Sequence, residues 1–171
     1  MKVVLDTHIL MSALMSNSGA SHLIYQAWRD KRITLLTCAE QLAEVREVTR
    51  RVAVALRIKP AEAGRLMNSL RMLALVLSDL RDVQRSSDPK DNYILALAEA
   101  GGARYVVTGD KSGLLALRKH AQAEIVTAAV FSKDAWLDGQ QLPHRRQRID
   151  RIDAGRIQPV FLHNFLKIGV F

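Results

Sequence analysis

At 171 residues the chain is the size of one domain, and its 49% apolar content is enough to build a core, which at 5% aromatic must be mostly Leu, Val, Ala and Ile. A formal net charge of +8 with a pI near 10.1 favours polyanionic partners, nucleic acid first. No apolar run approaches the roughly 20 residues of a membrane span, and a single cysteine, Cys38, excludes an intrachain disulfide.

The chain opens directly on a strand-like run, so no signal peptide is read. Together with the lone Cys38 this predicts a cytoplasmic protein. Val3 to Leu5 reads as a short buried strand. Thr7 is a good N-cap type, and a helix carrying Ile9, Leu10 and Leu14 follows. Asn17-Ser18-Gly19 is a turn. Ser21 opens a second helix with Leu23, Ile24, Ala27 and Trp28 on one face, and Ile33 to Thr37 is a second strand.

From Ala39 to about Leu56 apolar residues recur at three and four (Leu42, Val45, Val48, Val52), a helical period. Pro60 suits the first turn of the next helix, through Leu66, Leu70 and Leu73. Leu75 to Leu77 is a short strand, and the polar stretch from Ser78 to Lys90 a loop. Asp91 starts a helix through Ile94, Leu97 and Ala98, stopped by Gly101-Gly102. Tyr105 to Val107 is a strand, Leu114 to Leu117 a short helix, and Ile125-Val126 a last strand; Thr127 begins a helix to about Leu137. Strands alternating with helices predict an α/β fold, with a central, mostly parallel sheet covered on both faces.

The composition changes after Gly139. His144-Arg-Arg-Gln-Arg148 is a basic run, and Val160 to Phe171 is apolar with Phe161, Phe165 and Phe171. From Gln140 to Phe171 six Arg/Lys face two Asp, so half of the net charge sits there. The organisation read is a domain over 1–139 and a basic, then apolar, extension over 140–171. A solvated linker with an appended packing segment is the favoured reading of that extension; an arm for nucleic acid or a partner, or a segment foreign to the domain, are the others.

Four acids stand beside apolar runs: Asp6 after Val3-Val4-Leu5, Glu44 within a helical pattern, Asp91 before Asn92-Tyr93-Ile94, and Asp110 after Val106-Val107-Thr108-Gly109. In an open α/β sheet such places converge at one edge, where ligands bind. Each acid alone has an ordinary explanation. Asp6 and Asp110 suit helix caps, though Thr7 can serve the first cap and leave Asp6 free. Asp91 sits where a helix dipole favours a carboxylate, and Asp88 caps or braces the turn that Pro89 fixes. Glu44 is otherwise a surface residue paired with Arg46 or Arg51.

Jointly they repel unless a cation lies between them. Carboxylate oxygens suit Mg²⁺ or Mn²⁺, and such ions hold an attacking water and a leaving oxygen in line. The five histidines are dispersed, with only His8 near the acids, where it reads as a helix-surface residue. No Gly-rich loop ends in Lys-Ser/Thr, which excludes that route to nucleotide hydrolysis.

These segments, Val3-Val4-Leu5-Asp6-Thr7-His8-Ile9-Leu10, Glu44, Asp88-Pro-Lys-Asp91-Asn92 and Val106-Val107-Thr108-Gly109-Asp110-Lys111, together resemble the PIN domain, and within it the VapC-like toxins of toxin–antitoxin pairs. The resemblance runs from Met1 to about Leu137. It implies a three-layer α/β/α sandwich that cleaves RNA with Mg²⁺ or Mn²⁺ and leaves a 5′-phosphate and a 3′-hydroxyl. It implies that Asp6, Glu44, Asp91 and Asp110 are the catalytic and metal-holding acids. Thr7, Asp88, Asn92 and Thr108 are expected to support them, and Arg81, Arg85, Lys90 and Lys111 to contact the RNA backbone. A small antitoxin partner and a homodimer or higher assembly are also implied; residues beyond 139 are not.

The function expected is therefore a metal-dependent endoribonuclease, the toxin of such a pair. The alternative is a protein of the same fold that binds RNA or an antitoxin without cleaving, its acids serving only as caps. A phosphoacceptor receiver domain fits poorly, because Cys38 rather than an acid follows the second strand.

Overall fold

The structure is a computed structural model and describes residues 1–137. The tail expectations for 140–171 lie outside the described residues. Six strands form one sheet in the order β3-β2-β1-β4-β6-β5. In chain order they are β1 (Lys2–Leu5), β2 (Thr34–Cys38), β3 (Leu75–Leu77), β4 (Tyr105–Val107), β5 (Lys119–His120) and β6 (Ala123–Val126). All pairings are parallel except β5 with β6.

The helices are α1 (Thr7–Met15), α2 (Ala20–Arg29), α3 (Ala39–Arg50), α4 (Val52–Ala55), α5 (Pro60–Leu73), α6 (Asn92–Gly101), α7 (Leu114–Leu117) and α8 (Ala128–Leu137). Alternate strand residues feed two separate cores. Val3, Leu5, Leu35, Tyr105 and Val107 pack with residues of α1, α2, α3, α5 and α8. Val4, Leu36, Cys38, Val106 and Ile125 pack with α6 and α7. Side chains alternate across a strand, so burial on both faces produces the unbroken apolar runs seen in the sequence. The result is the expected three-layer α/β/α sandwich.

Four local expectations are corrected. The helical period from Ala39 to Leu56 is broken at Arg51, whose backbone is extended (φ −64°, ψ 133°). Val52 and Leu56 consequently face solvent, while the turn delivers Ile58 into the core. No Gly or Pro marks this break. Leu23 is exposed rather than on the apolar face of α2 with Ile24, Ala27 and Trp28. That helix starts at Ala20 with Gly19 as its cap, not at Ser21. Strand β5 was not expected: it is two residues long, and its hairpin turns through Ala121 at positive φ (49°) rather than through Asn-Gly or Asp-Gly.

The strand order positions the site. The chain lays β1, β2 and β3 outward on one side, then returns to put β4 on the other side of β1. The connections therefore diverge between β1 and β4, and that crevice at the carboxyl ends of the strands is where open α/β sheets bind ligands. The ladder runs on past both strands, with the Asp6 amide donating to the Val107 carbonyl at 2.9 Å. Asp6 leaves one strand here and Thr108 to Asp110 leave the other.

Candidate active site

Asp6 is the N-cap of α1, and its Oδ1 accepts the His8 amide at 3.1 Å. This corrects the assignment of that cap to Thr7. An N-cap needs extended backbone so that its side chain folds back over the first amides. Asp6 has it (φ −59°, ψ 145°), whereas Thr7 is already helical. The Thr7 hydroxyl instead donates to Glu44 Oε2 at 2.6 Å. The other Asp6 oxygen, Oδ2, accepts the Thr108 hydroxyl at 2.5 Å.

Thr108 is fully buried and joins two acids. Its proton goes to Asp6, and its oxygen accepts the Asp110 amide at 3.0 Å. Asp110 then caps the next turn. Its Oδ1 accepts the Ser112 amide (3.2 Å) and hydroxyl (3.1 Å), and Oδ2 accepts the Leu114 amide at 2.9 Å. The Leu114 amide foremost, with the Gly113 amide and the Ser112 groups, holds the Asp110 carboxyl below the usual range. Gly113 leaves room for this arrangement, because a Cβ at that position would meet Asp110 Oδ2 and force the carboxylate to shift.

Asp91 behaves differently from the helix-start acid expected. It ends a turn of 3-10 helix (Pro89–Asp91) and makes no side-chain cap bond to α6. The turn is capped by Asp88, whose Oδ1 accepts the Lys90 amide at 2.9 Å. Burial first, then the negative charges of Asp6, Asp88, Asp110 and Glu44, push the Asp91 carboxyl up to about 6. That shift also reports proximity: all four other acids act on Asp91 through space. Asn92 Oδ1 accepts the Arg85 amide (3.0 Å) and the Ser86 amide (2.8 Å), so Asn92 fastens the preceding loop.

Glu44 is half-buried rather than a surface glutamate. Its Oε2 accepts the Tyr93 hydroxyl at 2.5 Å as well as that of Thr7. Neither Arg46 nor Arg51 pairs with it; Arg51 pairs with Glu47 at 2.8 Å. One turn earlier, buried Gln41 donates to the Leu5 carbonyl at 2.6 Å and accepts the Thr37 hydroxyl at 2.9 Å. That strut sets α3 against the end of β1.

A cleft of about 490 Å³ opens here, lined by Asp6, His8, Ser87, Asp88, Asp91, Gly109, Asp110, Ser112 and Gly113. Four acids line it; Glu44 is not among the lining residues. Arg81, Arg85, Lys90 and Lys111 are exposed and are not among the lining residues. Arg85 donates to His120 Nδ1 at 3.2 Å. Sequence reasoning read His8 as a helix-surface residue, and its side chain is indeed 86% exposed, but missed its place in the cleft lining, with Nδ1 3.4 Å from Asp6 Oδ1. It also missed Ser87, Ser112, Gly113 and Tyr93, for which no local pattern was available.

The lining chemistry suits a hard cation. The acids present oxygens only, and no hydrogen bond among the described residues reaches the Asp91 carboxylate. As the side chains stand, no three His, Cys, Asp or Glu of the described residues lie close enough together to hold an ion. Both oxygens of Asp6 and of Asp110, and Oε2 of Glu44, accept internal hydrogen bonds.

A sequence model of the PIN domain matches residues 2–112. The chain belongs to the PIN domain family. No curated protein matches it. Among solved structures, FitAcB from Neisseria gonorrhoeae is similar at 16% identity and a TM-score of 0.43, covering 74% of this chain and 98% of that one. VapBC2 from Rickettsia felis, bound to a DNA fragment from their promoter, is similar at 16% identity and a TM-score of 0.41, with the same coverage. No helix of the described residues is long and apolar enough to cross a membrane.

Proposed function

We propose that this PIN domain is a metal-dependent endoribonuclease and the toxin of a toxin–antitoxin pair. The observation that carries the nuclease reading is the gathering of Asp6, Asp88, Asp91 and Asp110 around one cleft at the switch point, in a chain of this family. Asp6, Asp91 and Asp110 would hold Mg²⁺ or Mn²⁺, with Glu44 positioning the ion or the attacking water. A bound cation supplies the positive charge that offsets these acids and the scissile phosphate, and it activates water. Thr108 and the His8 amide fix both oxygens of Asp6, and the Ser112 and Leu114 amides orient Asp110. In-line attack then leaves a 5′-phosphate and a 3′-hydroxyl.

The further parts of the proposal follow from the motif resemblance and the charge. Exposed Arg81, Arg85, Lys90 and Lys111 hold RNA phosphates, which position a substrate without reading its sequence. Residues 1–139 form the nuclease domain and 140–171 an extension. A small antitoxin covers the site, the chain forms a homodimer or higher assembly, and the protein is cytoplasmic.

The test is cleavage of a panel of tRNA, rRNA and mRNA fragments. Cleavage is expected with Mg²⁺ or Mn²⁺ and is expected to stop with EDTA. A second reading, a binder that does not cleave, is favoured by the caps that Asp6 and Asp110 provide. Titration with Mn²⁺ separates the two, because caps alone need not bind the ion.

Gly113→Ala tests the Asp110 arm. The new methyl displaces Oδ2 from the Leu114 amide. Cleavage is expected to fall by about tenfold or more, and stability by about 1 kcal/mol for the lost cap. Wild-type cleavage by this variant would show that Asp110's orientation is irrelevant to the reaction.

A further inference from the structure

The Tyr93 and Thr7 hydroxyls converge on the same oxygen of Glu44, at 2.5 and 2.6 Å. Among the described residues no hydrogen bond reaches the other oxygen, Oε1. The three residues belong to three helices: Thr7 follows Asp6 on α1, Glu44 lies on α3, and Tyr93 stands two residues after Asp91 on α6. One carboxylate oxygen thus links the helices that follow or carry three of the acids. The Tyr93 ring packs against the core beneath α6, so its hydroxyl is not free to swing. A glutamate held by no partner would spread over many rotamers; two short bonds to a charged acceptor confine it.

We propose that Tyr93 is a positioning residue that, with Thr7, anchors Glu44 through Oε2 and leaves Oε1 as the working oxygen of that acid. The anchoring stands by itself, and the work assigned to Oε1 rests on the nuclease reading. Phe at position 93 keeps the ring and removes only the hydroxyl. A residue that merely ties helices together would show its loss in stability. A positioning residue shows it in what happens at Glu44.

The whole 171-residue chain, labelled with ¹³C at glutamate carboxyls, provides the first readout. The Glu44 signal, assigned by its disappearance in Glu44→Ala, is expected to shift in Tyr93→Phe and to stay in place in Tyr25→Phe. The second readout is kinetic. Tyr93→Phe is expected to lower kcat about tenfold with KM within about twofold. In a Glu44→Ala background the same change is expected to add nothing. An unmoved Glu44 signal would overturn the proposal, as would an equal loss of kcat in both backgrounds. If the wild type cleaves no RNA, the nuclease reading fails instead, and the carboxyl signal still decides the anchor.

Discussion

Asp6→Asn is expected to lower kcat for RNA cleavage by on the order of 10²–10³-fold while leaving the chain folded. On the proposed nuclease reading, the loss follows from removing a charge that would stabilise the reaction electrostatically. Retention of the fold follows from the hydrogen bonds. The amide oxygen of Asn can accept either the His8 amide or the Thr108 hydroxyl, but not both at their present distances of 3.1 and 2.5 Å. One lost bond costs about 1 kcal/mol, and relief of repulsion with Asp88, Asp91 and Asp110 offsets part of it. A melting temperature within a few degrees of wild type, measured beside the cleavage rate, checks both halves. Full activity in this variant would sink the assignment of Asp6.

The second large effect is a pH dependence carried by Asp91. Its carboxyl moves from 3.8 to about 6 on folding, through burial and then the charges of Asp6, Asp88, Asp110 and Glu44. Below about pH 4 the group is protonated in both states and contributes no difference. Between about 4 and 6 the folded state holds a proton that the unfolded chain has released, and above 6 it must carry the charge at a cost. The destabilisation therefore grows as pH rises and is complete by pH 7.

Asp91→Asn is thus expected to melt a few degrees above wild type at pH 7, an advantage that vanishes at pH 4. The rise is modest because the side chain is only half-buried and water screens it. Mn²⁺ affinity is expected to move the opposite way. A cation competes with that proton, so affinity should fall by up to about tenfold per unit as pH drops below 6. Calorimetric titrations between pH 5 and 7.5 read this directly. A flat Mn²⁺ affinity, or Asp91→Asn melting below wild type at pH 7, would show that Asp91 is not the strained acid of the site.

Much of the fold was legible because burial on both faces leaves a simple mark. Val3-Val4-Leu5 and Tyr105-Val106-Val107 are apolar without interruption, and both proved to be central parallel strands. The Gly101-Gly102 stop was legible for a similar reason, since Gly102 takes the left-handed cap (φ 62°) that other residues resist. The break at Arg51 was not, because nothing in Arg50-Arg51-Val52 disfavours a helix strongly. It is decided by the need to bring Ile58 into the core.

The site divides along the same line. The sequence by itself determined which acids follow strand ends and, through its ordered motifs, membership of the PIN family. Only the tertiary structure decided what each acid does with its oxygens. Thr7 and Tyr93 stand 37 and 49 residues from Glu44, and Thr108 stands 102 from Asp6. No local periodicity records a bond across such separations. The raised carboxyl of Asp91 depends first on its burial and then on charges that four other chain positions bring to it. Short-range pattern determines strands, helices and caps because those are short-range interactions. Hydrogen-bond partners and through-space charge are properties of the packed sheet, and they exist only once β1 and β4 lie side by side.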